Sequence, residues 1–286
     1  MNLDLDLHTI NIAPSTSSVS AVPNEKDISA PGTYTLDAAP GTDIYASPLP
    51  PVRYVFSAPI VSRRILKAAF RSAKVGVRAR WSLQFDQGGL VFIVPDPATN
   101  IVSTLNANAN ASTCTNTGTA QTQDLDPYSS PASSWVKAGI EVNDGKPYVS
   151  VVTKSRDGWC DWSLVPMPIS VSSTAGGMSS SSSSSSQITL RMTRSKNALM
   201  IWMINDNDEA TLIRKVPWVF LDLELDNHNH HHRQHESTST HEAEAEAEVM
   251  VGIYAARPDP DNEATGNLAV SFQGFSVDVD VDGCHL

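Results

Sequence analysis

Residues 75–85 carry an apolar side chain at every second position, Val75, Val77, Ala79, Trp81, Leu83 and Phe85, with Arg78, Arg80, Ser82 and Gln84 in between. A period of two belongs to an extended strand with one face buried, whereas a helix repeats every 3.6 residues. The same texture returns along the chain. Residues 135–142 and 148–153 flank Asn-Asp-Gly-Lys at 143–146, and Asp-Gly between two apolar runs marks a tight antiparallel hairpin. Further β-rich runs cover 188–192, 198–204, 216–225, 249–255 and 268–281. In the last run Leu268, Val270 and Phe272 are even, while Phe275, Val277, Val279 and Val281 are odd. A slip of one residue turns every side chain to the other face, so a bulge is expected near Gln273 and Gly274. Only residues 62–72 fit a helical period as well as a strand. Many short strands without helical crossovers point to a two-sheet sandwich and away from a parallel α/β sheet.

Three stretches interrupt this pattern, at about 95–131, 170–186 and 226–248. The first is rich in Asn, Ala, Thr and Ser, the second ends in a run of serines, and the third holds His-Asn-His-His-His and an alternating Glu-Ala repeat. None holds enough apolar surface to offset the entropy of ordering it, so they read as solvated loop insertions. The expected organisation is a flexible N-terminal segment over 1–27 and a single β-sandwich over 28–286.

With 31 acidic against 20 basic residues, the net charge is −11 and no Lys/Arg-rich run occurs. Binding to a nucleic-acid backbone or an anionic membrane surface has no footprint here. The first residues lack a positive flank and a continuous apolar stretch, which makes the cytoplasm the expected compartment. Cys114, Cys160 and Cys284 are too few and too widely spaced for a disulfide framework or a metal site. Cys160, between Trp159 and Asp161-Trp162, reads as a packing residue. The cluster His228, His230, His231, His232, His235 and His241 offers imidazoles to a transition metal. A flexible repeat without supporting hydrogen bonds rarely makes a specific site, so no metal and no cofactor is expected.

Several short motifs occur in a telling order. They are Ala-Ala-Pro-Gly-Thr-Asp-Ile-Tyr at 38–45, Ser-Ala-Pro-Ile at 57–60, Phe-Asp-Gln-Gly-Gly-Leu at 85–90 and Ser-Trp-Val-Lys-Ala-Gly-Ile-Glu at 134–141. Ser-Val-Val-Thr at 150–153, Asp-Trp-Ser at 161–163, Leu-Ile-Arg at 212–214 and Val-Gly-Ile-Tyr-Ala-Ala at 251–256 follow. The ordered set resembles the uncharacterised concanavalin A-like family typified by the regulation-of-enolase protein. It departs at Tyr45, where tryptophan is expected, at the inserted Gly158-Trp159-Cys160, and in the loops. The resemblance implies an all-β, concanavalin A-like jelly-roll sandwich of two antiparallel sheets. By analogy it implies a regulatory part in carbohydrate metabolism, with a carbohydrate or a metabolic enzyme as partner; it supplies no catalytic residues.

Strand parity then nominates a face. If one sheet is concave, Gln84, Asp86, Trp135, Lys137 and Glu141 line it, joined by Arg191, Trp202, Arg214 and Tyr254 from later strands. Aromatic rings beside hydrogen-bonding groups suit a sugar, whose faces are apolar and whose edges are polar. A plainer reading stands beside this one: Lys137 and Glu141 form an ordinary ion pair, Trp135 and Trp202 are core, and Asp86 and Asp161-Trp162-Ser163 anchor turns around a buried indole. Glycoside hydrolysis needs two carboxyl groups across the scissile bond, for which Asp86 and Glu141 are the pair on offer. The Glu-x-Asp-x-x-Glu strand of sandwich glucanases fails here, since Asn229 follows Glu224-Leu225-Asp226 where the second glutamate belongs. The leading expectation is therefore a non-catalytic module binding a carbohydrate or a protein. The alternatives are a glycosidase using Asp86 and Glu141, and an interaction scaffold acting through its loops.

Overall fold

The computed structural model describes residues 7–12, 33–96, 128–168, 187–221, 247–260 and 266–280. Most of the three insertions and the whole His cluster lie outside these residues. The strands are β1 (His8–Ile10), β2 (Tyr34–Ala38), β3 (Ile44–Ser47), β4 (Arg53–Phe56), β5 (Ile60–Leu66), β6 (Phe70–Ala79), β7 (Gln87–Val94) and β8 (Ser134–Asn143). They continue as β9 (Lys146–Lys154), β10 (Cys160–Pro166), β11 (Gln187–Ser195), β12 (Ala198–Ile204), β13 (Ala210–Val216), β14 (Glu248–Ala256) and β15 (Leu268–Val279).

Seven strands form one antiparallel sheet in the order β1-β5-β14-β7-β8-β9-β10, and six form the other in the order β13-β12-β11-β6-β15-β2. The chain passes from one sheet to the other at β1/β2, back from β2 through β3 and β4 to β5, and again at β5/β6, β6/β7, β10/β11, β13/β14 and β14/β15, which is the winding of a jelly roll. The fold is thus an all-β sandwich of two antiparallel sheets. Between the sheets, alternate side chains interdigitate, with Val75, Val77 and Leu190 from one and Leu90, Phe92, Val136 and Ile253 from the other. The remaining pair, β3 and β4, forms a separate hairpin. Ile44 and Ala46 of that hairpin pack with Ile93, Trp135, Val152 and Tyr254 in a second apolar cluster. The seven-stranded sheet is therefore covered on both faces, which explains why β7 and β14 read as continuous apolar runs.

The hairpin expected at 143–146 joins β8 to β9, with Asp144 (φ 49) and Gly145 (φ 70) both in the left-handed region of a type I′ turn. The register of β15 against β6 slips between Gln273 and Ser276, where the parity change required it. Residues 62–72 are not helical; they belong to β5 and β6 and the short turn between them. The run at 216–225 is also corrected. Strand β13 begins earlier, at Ala210, and ends at Val216, because Pro217 cannot continue a ladder. Residues 8–10 pair with β5, so they belong to the sandwich and not to a detached N-terminal segment; a three-residue strand is too short for its periodicity to register. Among the described residues no helix is long and apolar enough to cross a membrane.

Gly89 and Gly139 face one another across β7 and β8. A Cβ on Gly89 would lie 2.0 Å from the Ala138 carbonyl oxygen, so the two backbones approach as only glycine allows. Gly89→Ala is expected to destabilise the protein by about 3 kcal/mol or more in urea unfolding, as overpacking against rigid backbone does. Equal stability of the variant would contradict this packing.

Candidate functional site

The pairing register fixes which side chains share the outer face of the seven-stranded sheet, the face turned away from the other sheet. Trp135 pairs with Lys154, Lys137 with Val152 and Glu141 with Tyr148 across β8 and β9, and Gln87 pairs with Glu141 across β7 and β8. Trp162 pairs with Val152 across β9 and β10, and Tyr254 with Gly89 across β14 and β7. Of the nine residues nominated above, Trp135, Lys137, Glu141 and Tyr254 are brought together here.

Most of this face is roofed. The Lys137 ammonium donates to the Ile44 carbonyl at 2.7 Å and to Gln87 Oε1 at 2.6 Å, with Asp43 Oδ1 at 3.6 Å. It also lies 5.8 Å from the ring centroids of both Trp135 and Tyr254. Gln87 Nε2 in turn donates to Asp43 Oδ1 at 3.2 Å and to the Phe85 carbonyl at 3.3 Å. A buried ammonium needs such partners, because its desolvation costs several kcal/mol. Burial, reinforced by the Glu141 and Asp43 carboxylates, pushes the Tyr254 phenol well above its ordinary range, so it remains a donor and lies 3.5 Å from Gln87 Oε1. Farther along, Lys154 Nζ donates to the carbonyls of Pro131 at 2.6 Å and Ser133 at 2.7 Å, and desolvation lowers its pKa. The adjacent Cys160 thiol is pushed up, chiefly by burial, which makes it a poor nucleophile.

Among the described residues the roof stops at the β9–β10 end. Glu141 Oε2 accepts from Ser150 Oγ at 2.5 Å and from Trp162 Nε1 at 3.2 Å. Glu141 and Ser150 are buried, but Trp162 is 46% exposed, and the 39% exposed Phe85 meets it edge to face at 6.3 Å between centroids. The reading of Asp161-Trp162-Ser163 as a turn with a buried indole is thus corrected, since all three lie in β10 with the indole at the surface. Phe85 sits at φ 64, a conformation that costs a non-glycine residue about 1–3 kcal/mol. Its amide donates to the Val142 carbonyl at 2.9 Å, and the turn behind it is pinned by Asp86.

Asp86 itself points the other way. Both its oxygens receive Arg257, Nε on Oδ1 at 2.9 Å and Nη2 on Oδ2 at 2.9 Å. Oδ2 also accepts the amides of Ser82 at 3.1 Å and Leu83 at 3.0 Å. Asp86 is fully buried in this arrangement, one residue before Gln87, which shares the face of Glu141. The two carboxylates therefore lie on opposite sides of the sheet and do not flank a common space. The ion pair between Lys137 and Glu141 is absent for a simple reason: four residues along a strand span about 13 Å.

The other nominated residues are elsewhere. Gln84 lies in the turn before β7, where its amide donates to Asn143 Oδ1 at 3.0 Å and accepts the Asp144 amide at 3.0 Å. Arg191 and Trp202 pair across β11 and β12 on the outer face of the six-stranded sheet, with the guanidinium 5.8 Å from the indole centroid and Trp202 Nε1 on Thr193 Oγ1 at 2.9 Å. Arg214 of β13 forms an ion pair with Asp161 of β10, joining an edge strand of each sheet. Parity within one strand cannot say which sheet that strand enters, and these three residues were placed on the wrong one. Trp162, Phe85, Ser150, Gln87 and Asp43 were missed as site residues, although the pairing of 135–142 with 148–153 places Ser150 beside Gly139 and on the face of Glu141. Among the described residues no group of three or more His, Cys, Asp or Glu side chains could hold a metal.

Breaking the Asp86–Arg257 pair leaves a buried charge uncompensated. Asp86→Ala is expected to cost about 3–5 kcal/mol by chemical denaturation, and a loss below about 1 kcal/mol would contradict the role given to the pair.

The sequence profile of a family described as "Protein of unknown function (DUF1349)" matches residues 21–279. An uncharacterized protein of Emericella nidulans is 30% identical over 250 residues, spanning 87% of this chain and 88% of that one. Among solved structures, a functionally unknown protein from Saccharomyces cerevisiae is similar with a TM-score of 0.54 at 20% identity, covering 96% of this chain and 97% of that chain, a likeness of fold. A variant of the GH43 protein BlXynB from Bacillus licheniformis is more distant, with a TM-score of 0.45 at 15% identity over 88% of this chain and 34% of that one. The match is at the level of the domain, and the narrower likeness to the regulation-of-enolase protein is not part of it. With the profile covering most of the sandwich and a 30% identical relative along nearly the whole length, the chain belongs to the DUF1349 family.

Proposed function

We propose that this protein is a non-catalytic binding module that takes a carbohydrate at the open, β9–β10 end of the seven-stranded sheet. The observation that carries this reading is the exposed Trp162 indole, held by Glu141 and met at its edge by Phe85. An indole held in place by the buried Glu141 and Ser150, with its ring at the surface, matches the apolar face of a sugar ring. Phe85 supports it: a strained, exposed aromatic persists only where its surroundings impose the conformation, and such residues cluster at binding sites. The hairpin β3–β4 covers the remainder of the face, so a ligand enters from the β10 edge and the end of a glycan fits better than an internal stretch.

The hydrolase alternative loses its second carboxylate, because Asp86 is enclosed by Arg257 and faces away from Glu141. A place in carbohydrate metabolism, with a metabolic enzyme as partner, extends this proposal by family resemblance.

A glycan array probed with the wild type, Trp162→Ala and Glu141→Gln tests the reading, with circular dichroism confirming that the variants fold. The expected result is binding by the wild type that falls about tenfold or more in Trp162→Ala, weakens in Glu141→Gln, and occurs without turnover. Absence of binding to any glycan, or binding unchanged in Trp162→Ala, would refute it.

A further inference from the structure

Glu141 is a buried carboxylate whose two donors are both neutral. Ser150 Oγ and Trp162 Nε1 donate to its Oε2, and among the described residues no lysine, arginine or histidine pairs with it. The charged groups around it do not make good the difference. Lys137 is balanced by Asp43, and Arg214 at the edge of the other sheet by Asp161. Asp86 is enclosed by Arg257. What is left at this end of the sheet is Glu141 itself, Asp144 in the hairpin turn, and Lys146, which opens β9 on the same face opposite Asn143. Lys146 is exposed and forms no ion pair with Glu141, so two negative charges stand against one positive.

The uncompensated charge is felt at the surface through the indole. A hydrogen bond to an anion polarises its donor, which enriches the ring in electron density, and the faces of aromatic rings attract cations, tryptophan most of all. Elsewhere in the protein such faces carry a cation of the chain's own, Lys137 over Trp135 and Tyr254 and Arg191 over Trp202. Among the described residues no cation lies over Trp162 or Phe85, and both rings are exposed. Their planes meet at 66°, which makes them two walls of an open angle. We propose that this corner selects a sugar bearing a protonated amine, with the ammonium lodged between Trp162 and Phe85. The inference rests on the carbohydrate reading above and narrows it to amino sugars. It asks for no contact with Glu141, which acts from behind the indole N–H. The same field disfavours sugars that carry a carboxylate, and the net charge of −11 draws cations toward the molecule as a whole.

Isothermal titration calorimetry on the full chain tests the proposal with the β-1,4-linked trimers of glucosamine, N-acetylglucosamine and glucose, which carry an ammonium, an amide or a hydroxyl at the same carbon. At low ionic strength the glucosamine trimer is expected to bind about fivefold or more tightly than the other two, and added salt to shrink that ratio. Glu141→Gln keeps an oxygen to accept from Trp162 and Ser150 but removes the charge, and is expected to bring the glucosamine and glucose trimers to similar affinity, whatever it does to binding as a whole. Trp162→Ala is expected to lose the preference as well, which separates a seated ammonium from general attraction to an acidic protein. Lys146→Glu, outside the hydrogen-bonded network, is expected to raise the ratio about twofold. Equal binding of the three trimers would overturn the inference and leave the carbohydrate site standing, whereas binding of none would refute both. A ratio unchanged in Glu141→Gln, or not raised in Lys146→Glu, would overturn it too. Choline bound more tightly than the glucosamine trimer would overturn the assignment of the ammonium to a sugar.

Discussion

The ion pair between Asp86 and Arg257 is the contact on which both faces of the molecule depend. Arg257 follows the last residue of β14 and Asp86 precedes the first of β7, so their two parallel bonds lock the central strand pair of the larger sheet at one end. The same carboxylate ties down the amides of Ser82 and Leu83 and so holds the turn that forces Phe85 into its left-handed conformation beside Trp162. From the arginine side, the backbone amide of Arg257 donates to Thr42 Oγ1, which anchors the chain leading into the roofing hairpin. A buried pair of this kind is weak grounds for stability as such, since an apolar pair of equal volume often does as well. Its consequence is positional: the Phe85 turn, the chain entering the hairpin and Gly266 are all held by this one pair of residues.

Given that anchor, the outer face of the seven-stranded sheet divides into a sealed part and an open part. Under the hairpin, Lys137, Gln87, Asp43 and Tyr254 satisfy one another and leave little for a ligand to do. At the β10 end the polar network continues through Glu141 and Ser150 but terminates on an exposed indole. Preorganisation follows, because the indole and the phenyl ring are held before any ligand arrives and little ordering entropy remains to oppose binding. Chemistry that needs two carboxylates is not served by this arrangement, whereas recognition by stacking on an exposed ring is.

Much of the fold was legible in the sequence because its signals are local. Alternation in residues 75–79, Asp144-Gly145 in a two-residue turn, and the parity change at Gln273 each depend on a few neighbouring residues, and each has its counterpart in the structure. The site was less legible because it depends on which sheet a strand joins. The alternation of 75–85 suggests one continuous strand, yet after Ala79 the chain leaves one sheet, turns at Phe85 and enters the other at Gln87. That crossing reversed the facing of Asp86 relative to Glu141 and destroyed the proposed carboxylate pair. Arg191 and Trp202 were misplaced for the same reason: both are correctly alternating strand residues, on the other sheet. Trp162 was visible as a residue, but its exposure follows from β10 being an edge strand, which the order of strands decides and local pattern does not. The near-continuous burial of β7 and β14 carried a usable sign that the larger sheet is covered on both faces.

The most direct test of this account is a ¹H–¹⁵N correlation spectrum of the six tryptophan indoles, assigned by substitution and followed while the protein is titrated with mixed oligosaccharides. The account predicts that the Trp162 indole resonance moves saturably while that of Trp202, on the opposite sheet, does not. Movement of Trp202 without Trp162, or no movement of any indole, would contradict a carbohydrate site at the open end of the seven-stranded sheet.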